Sequence, residues 1–107
     1  NLGTEDGEFK PYQLLLGALG SCFYSTFLGI VKKKHLTFSD AEMEISGKKR
    51  DTVPTTLEHV ILKMTIVNPS NDVGFLKSAE LAGKYCSIYQ TISKVAKIDL
   101  EVSFEYN

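Results

Sequence analysis

The pattern of polar and apolar positions divides the chain into five elements. From Leu14 to Val31 nearly every residue is apolar or small, so no polar stripe faces water. A helix of that kind is enclosed, in a core or in a membrane. Pro11 fits its first turn, where a missing N–H costs nothing. Lys32, Lys33, Lys34 and His35 end it with positive charge, which the helix dipole favours there. Ala41, Met43, Ile45 and Gly47 then alternate with Asp40, Glu42, Glu44 and Ser46, the period of a strand with one wet face. After a turn over Lys48–Thr56 that contains Pro54, Val60, Leu62, Met64 and Ile66 repeat the alternation, and the two strands are expected to pair as an antiparallel hairpin.

Ser70, Asn71 or Asp72 offers an N-cap for a second helix over Phe75–Val95. Phe75, Ala79, Ala82, Cys86 and Tyr89 fall on one face of about four turns, and Leu76, Leu81, Tyr85, Ile88, Ile92 and Val95 widen the apolar side. Ile98, Leu100, Val102, Phe104 and Tyr106 alternate with Asp99, Glu101, Ser103 and Glu105, which predicts a final strand. The order helix, strand, strand, helix, strand implies an α+β domain with helices on one side of a sheet. Three strands cannot cover a first helix that is apolar all round. The pattern predicts upstream strands missing from this chain, a second subunit against the helix, or both. Asn1–Lys10 reads as a polar loop leading into it.

Length and composition narrow the class. The 107 residues, 43% of them hydrophobic, make a single domain spanning 1–107. Net charge is −1, and the basic residues are not gathered with aromatics, so nucleic-acid binding has no electrostatic footprint. A membrane span wants about 20 apolar residues. Leu14–Val31 is shorter and carries Ser21, Tyr24, Ser25, Thr26 and three glycines, so a core helix is expected instead. No signal-peptide pattern opens the sequence, and a cytoplasmic setting is expected. There, two cysteines 64 positions apart are free thiols or a reacting pair, not a structural framework.

Candidate chemistry rests on those two residues. A buried cysteine is ordinarily a small, inert hydrophobe. Here, however, the only two cysteines, Cys22 and Cys86, each fall mid-helix on an inward face, and helices packed side by side could bring their sulfurs together, at a distance that the sequence does not give. A reacting thiol must ionise. The dipole of its own helix gives Cys22 little help, because Cys22 lies about 16 Å along the axis from Pro11. Ionisation would thus need a cation from another element. Arg50, the only arginine, sits in the turn between the strands, with nothing to carry it to Cys22. His35 and His59 show no metal-ligand spacing with the cysteines, and no metal is expected. Serine and aspartate residues are scattered without a nucleophile elbow. Glu42 and Glu44 are a solvated strand face.

Two segments carry a family resemblance. KPYQLLLGALGSCF is similar to the OsmC/Ohr signature, a small-residue helix leading to a cysteine, and KYCSIYQTISKV resembles the family's second cysteine helix, which runs into a last strand. The resemblance implies an OsmC-like fold with two long central helices on an antiparallel sheet, in an intertwined homodimer. It implies a thiol peroxidase acting on organic hydroperoxides, without metal, haem or flavin. Cys22 then resembles the peroxidatic cysteine, which becomes a sulfenic acid, and Cys86 the resolving cysteine, which closes a disulfide. A dithiol reductant, a lipoylated protein in the Ohr branch, would reset the pair. Tyr12 stands where that branch has a glutamate, Ser87 replaces its usual proline, and its activating N-terminal arginine has no counterpart here. A dimer that binds an apolar ligand, and a structural or regulatory dimer whose cysteines merely pack, are the other readings.

Overall fold

The structure, a computed structural model, describes residues 10–107. The loop expected over Asn1–Lys10 therefore lies almost wholly outside the described residues. Helix α1 spans Pro11–Lys33, strands β1 and β2 span Asp40–Lys49 and Leu57–Val67, helices α2 and α3 span Asp72–Tyr85 and Ser87–Ser93, and strand β3 spans Lys97–Glu105. The sheet order is β1-β2-β3.

The β1–β2 hairpin is antiparallel as its spacing predicts, with Met43 opposite Met64 and Ile45 opposite Leu62. β3, in contrast, runs parallel to β2, pairing Leu62 with Leu100 and Ile66 with Phe104. The expected antiparallel sheet is thus a mixed one. The cause is topological: a parallel neighbour needs a crossover, and α2 with α3 provides it. Along β2 the inward residues Val60, Leu62, Met64 and Ile66 are fully buried, because helices cover that face. The other face carries Glu42, Glu44, Lys63, Glu101 and Ser103 in water.

α1 meets the core along a single stripe, Leu19, Phe23, Phe27 and Val31, spaced four residues apart. It crosses β1 at Gly20, where an added Cβ would sit 2.6 Å from Ile45 Cδ1, so any larger residue would require the end of the Ile45 side chain to shift. Phe27 is the hub of an aromatic cluster, with ring centroids 6.1 Å from Phe75, 6.3 Å from Tyr24, and 6.5 Å from both Phe23 and Phe38. The helix is not enclosed on every side, as its composition suggested. Leu14, Leu15 and Leu28 are more than a third exposed, and Ala18, Ser21 and Ser25 lie open between them.

α1 ends in a Schellman arrangement. The Leu36 N–H donates to the Val31 carbonyl and the His35 N–H to the Lys32 carbonyl, with His35 in the left-handed region at φ 58°. His35 thus serves as a cap residue. At the same end of the sheet Asn71 caps α2, its side chain accepting from the Gly74 N–H at 3.0 Å.

The second helix is two helices. Cys86 is extended, at φ −75° and ψ 115°, and separates α2 from α3. The expected apolar face survives this break, since Phe75, Ala79, Ala82 and Cys86 are all fully buried. Leu76, Tyr85 and Val95, expected to widen that face, are instead exposed at 40%, 64% and 65%. Helical spacing alone placed them too close to the core: the chain turns at Cys86, and Tyr85 and Val95 stand at the two helix ends.

Candidate active site

The break at Cys86 builds the site. The Cys86 N–H donates to the Ala82 carbonyl at 2.8 Å, closing α2, while the Cys86 carbonyl accepts from the Gln90 N–H at 3.0 Å, opening α3. Its sulfur also accepts from the Tyr89 N–H at 3.4 Å, which satisfies one of the free donors at the start of α3. The Gln90 side chain reaches back and donates to the Gly83 carbonyl at 2.9 Å. Gly83 leaves room for the Tyr89 ring, which a Cβ would meet at 3.1 Å, and that ring stacks on Phe23 at 6.1 Å. The Cys86 sulfur and the Gln90 amide thus each satisfy a backbone group left free by the break. Ser87 and Gln90 have the spacing of a capping box. That signal, unused by a reading based on hydrophobic period, marks a helix start within one residue of the actual one.

Cys86 and Cys22 face each other with their sulfurs 2.9 Å apart. Cys86 is fully buried and Cys22 partly exposed, so the pair has one open side and one sealed side. The S–H of Cys86 donates to the Cys22 sulfur. This bond is the largest influence holding the Cys22 pKa below that of an ordinary thiol, followed by the backbone N–H of Ile88, with the Ser87 hydroxyl and N–H adding to it against partial desolvation. Burial, and then the proton shared with Cys22, push the Cys86 thiol up. The two shifts agree in direction: of the two thiols, Cys22 is the one favoured to ionise first.

The source of this help differs from the cation expected from the sequence. Neutral donors supply it, the Cys86 thiol first and then groups on the first turn of α3, a helix start that apolar spacing does not mark. Arg50 is engaged elsewhere, its Nε donating to the Pro54 carbonyl at 2.7 Å within the β1–β2 turn. His59 lies on the outer face of the sheet, with Nε2 2.6 Å from an Asp99 carboxylate oxygen, and His35 caps α1, so neither histidine joins the cysteines. Among the described residues no three His, Cys, Asp or Glu side chains are grouped as metal ligands.

The sign of the pH dependence follows. A lowered pKa keeps Cys22 ionised as pH falls below the ordinary thiol range, near 8.5. Alkylation by iodoacetamide should show Cys22 half-reactive at a pH below that of a free thiol, with Cys86 reacting only at higher pH. Peptide mapping of the labelled cysteine against pH measures this. Equal midpoints for the two residues would contradict the assignment.

A groove between α1 and β1 is lined by Gln13, Leu16, Gly17, Gly20, Ser21, Met43 and Ile45, and by neither cysteine. It is largely apolar.

Comparison with known proteins agrees with this architecture. Protein YhfA of Escherichia coli strain K12 is 24% identical over 91 residues, which cover 83% of this chain and 68% of that protein. A hypothetical protein of Aquifex aeolicus superposes with a TM-score of 0.87 at 23% identity, over 95% of this chain and 78% of the other. The organic hydroperoxide resistance protein OsmC of Legionella pneumophila gives 0.78 at 22% identity, over 94% and 74%. Similarity at this level establishes the fold. Residues 3–101 match the family of OsmC-like proteins as a whole, and with its cysteine-bearing helices packed on a three-stranded sheet, the chain belongs to that family.

Proposed function

We propose that this protein is a thiol peroxidase that reduces organic hydroperoxides with Cys22 and Cys86. The observation that carries the reading is the 2.9 Å approach of a half-open sulfur, whose pKa is lowered, to a buried one. The Cys22 thiolate attacks the terminal oxygen of the hydroperoxide. The O–O bond breaks, the alkoxide leaves and takes a proton from solvent, and Cys22 becomes a sulfenic acid. The Cys86 sulfur then displaces that hydroxyl, giving a Cys22–Cys86 disulfide and water. Closing from 2.9 Å to the usual disulfide length needs a movement of about 0.9 Å. Two electrons from a dithiol return both thiols. The names of relatives such as the Legionella protein point the same way.

Counting thiols tests this. One equivalent of an organic hydroperoxide should lower the titratable thiols from two to none, with one intramolecular disulfide found by peptide mapping. Two thiols persisting under excess hydroperoxide would exclude the reaction. A ligand-binding dimer would instead be stabilised saturably by an apolar molecule, equally in a Cys22→Ser variant.

The working unit in this reading is a homodimer, built around the open stripe of α1. Leu14, Ala18, Ser21, Ser25 and Leu28 recur at helical spacing, exposed, with small residues in the middle where a second helix could come close. Sedimentation at low micromolar concentration should give twice the chain mass. A stable monomer would contradict the dimer without touching the thiol chemistry.

A further inference from the structure

A chain that leaves one helix at Cys86 and enters the next at Ser87 gives up backbone bonds that an unbroken helix would make. Each N–H would then reach the carbonyl four residues back, so Ser87 would donate to Gly83 and Ile88 to Lys84. In the described residues neither bond is formed. The Gly83 carbonyl accepts instead from the Gln90 side chain, Nε2 to oxygen at 2.9 Å. Among the described residues no other side-chain hydrogen bond joins α3 to α2. The Ser87 and Ile88 N–H groups, released from α2, act on Cys22. Tyr89, the neighbour of Gln90, donates its N–H to the Cys86 sulfur at 3.4 Å and presses its ring on Gly83, where a Cβ would meet Cζ at 3.1 Å. That ring stacks on Phe23, next to Cys22, with centroids 6.1 Å apart. One turn of α3 thus connects Gly83 on α2, Cys86 at the break and the residue beside Cys22 on α1.

We propose that Gln90 is a positioning residue for disulfide closure: its amide takes the place of the Ser87 N–H at the Gly83 carbonyl, keeps α2 and α3 from merging into one helix, and so holds the Cys86 sulfur against Cys22. Its part in turnover rests on the peroxidase reading above, whereas its part in the dithiol–disulfide equilibrium needs no peroxide. Seven residues do not sustain a helix alone, so α3 follows the course that its end contacts set. Without the amide, the Gly83 carbonyl regains its ordinary helical donor, the Ser87 N–H. Cys86 would then turn from φ −75°, ψ 115° to helical angles, and its sulfur would leave Cys22. The second chemical step bears the consequence. Cys22 still becomes a sulfenic acid, but Cys86 is less often in place to displace the hydroxyl as water and form the S–S bond. A second hydroperoxide then passes its terminal oxygen to the waiting sulfur, giving the sulfinic acid and another alcohol. Gln90 thereby favours the reversible product over the irreversible one.

The test compares wild-type protein with two variants. Gln90→Met keeps the length of the side chain and removes the donor. Thr91→Val removes a hydrogen bond internal to α3, from Thr91 Oγ1 to the Ser87 carbonyl at 2.8 Å, that does not span the break. Each protein is equilibrated with mixtures of reduced and oxidised glutathione, quenched in acid, and its Cys22–Cys86 disulfide quantified. Gln90→Met should lower the equilibrium constant for the disulfide about tenfold, a rise of about 30 mV in reduction potential. It should also move Cys22 alkylation to higher pH, because the Ser87 and Ile88 N–H groups return to α2. Thr91→Val should match the wild type in both. Under excess organic hydroperoxide, Gln90→Met should accumulate Cys22 with two added oxygens several times faster than the wild type, read by mass spectrometry. An unchanged equilibrium constant in Gln90→Met overturns the proposal, even if its urea midpoint falls. So does an equal shift in Thr91→Val, which would mark a general loosening of α3. If wild-type protein consumes no hydroperoxide, the peroxidase reading fails, while the glutathione equilibria still decide the role of Gln90.

Discussion

Cys22→Ser is expected to abolish hydroperoxide consumption, to the background level of the uncatalysed reaction, while leaving the fold intact. The side chain sits at the edge of the core, where a hydroxyl can still accept from the α3 N–H groups. Cys86 substitutions should behave differently. In Cys86→Ser the first equivalent of hydroperoxide still oxidises Cys22, but no disulfide can form, and further hydroperoxide drives Cys22 to the sulfinic acid. Mass spectrometry of Cys22 after stepwise additions distinguishes one added oxygen from two. Cys86→Ala should also slow the first oxidation near neutral pH. It removes the S–H donor that contributes most to lowering the Cys22 pKa, and serine replaces that donor. Sustained turnover in Cys86→Ser with a dithiol, at the wild-type rate, would show that the second sulfur has no part in resolution.

Phe27→Ala carries the largest expected cost in stability. Phe27 is fully buried and its ring touches four other aromatic rings, which come from α1, α2 and the link between α1 and β1. Emptying such a site costs about 3–5 kcal/mol, from lost burial and from a cavity that rigid neighbours do not fill. A domain of this size has roughly 5–15 kcal/mol in total, so the variant should approach the edge of folding. Urea unfolding followed by circular dichroism reads the change as a lowered midpoint at unchanged slope. Phe27→Leu keeps most of the volume and should lose much less. A loss under about 1 kcal/mol for the alanine variant would mean that the cluster is not the keystone described here.

How much of this was legible in the residues differs between elements. Alternation located all three strands, because a sheet with one wet face writes its period directly into the chain. Met43, Leu62 and Leu100 each face inward, as that period requires. Strand direction was not legible. Whether β3 runs with or against β2 depends on how the crossover packs, and residues in both cases alternate alike. The four-residue stripe from Leu19 to Val31 is hidden in the sequence, since Leu14, Leu15 and Leu28 are as apolar as the residues that are buried. Composition indicated that α1 needs cover on more than one side, but not which side the chain itself provides.

The site was legible in its residues and not in its means of activation. Cys22 and Cys86 could be singled out because they are the only two sulfurs of their kind on the inward faces of two helices. The break that turns the first N–H groups of α3 toward Cys22 contains neither glycine nor proline, and apolar spacing passes through it undisturbed. Only the Ser87–Gln90 spacing betrays it. Activation by the backbone leaves little trace in a sequence, because any residue type offers the same N–H.

The seven-residue α3 is far too short to persist by itself. It is tethered at its start by the thiol of Cys86 and by the clasp from Gln90 to Gly83. A covalent bridge to α1 would tie that tether to the longest helix described. The oxidised protein should therefore be the quieter of the two forms, its amide protons from Ser87 to Ser93 exchanging with deuterium more slowly than in the dithiol.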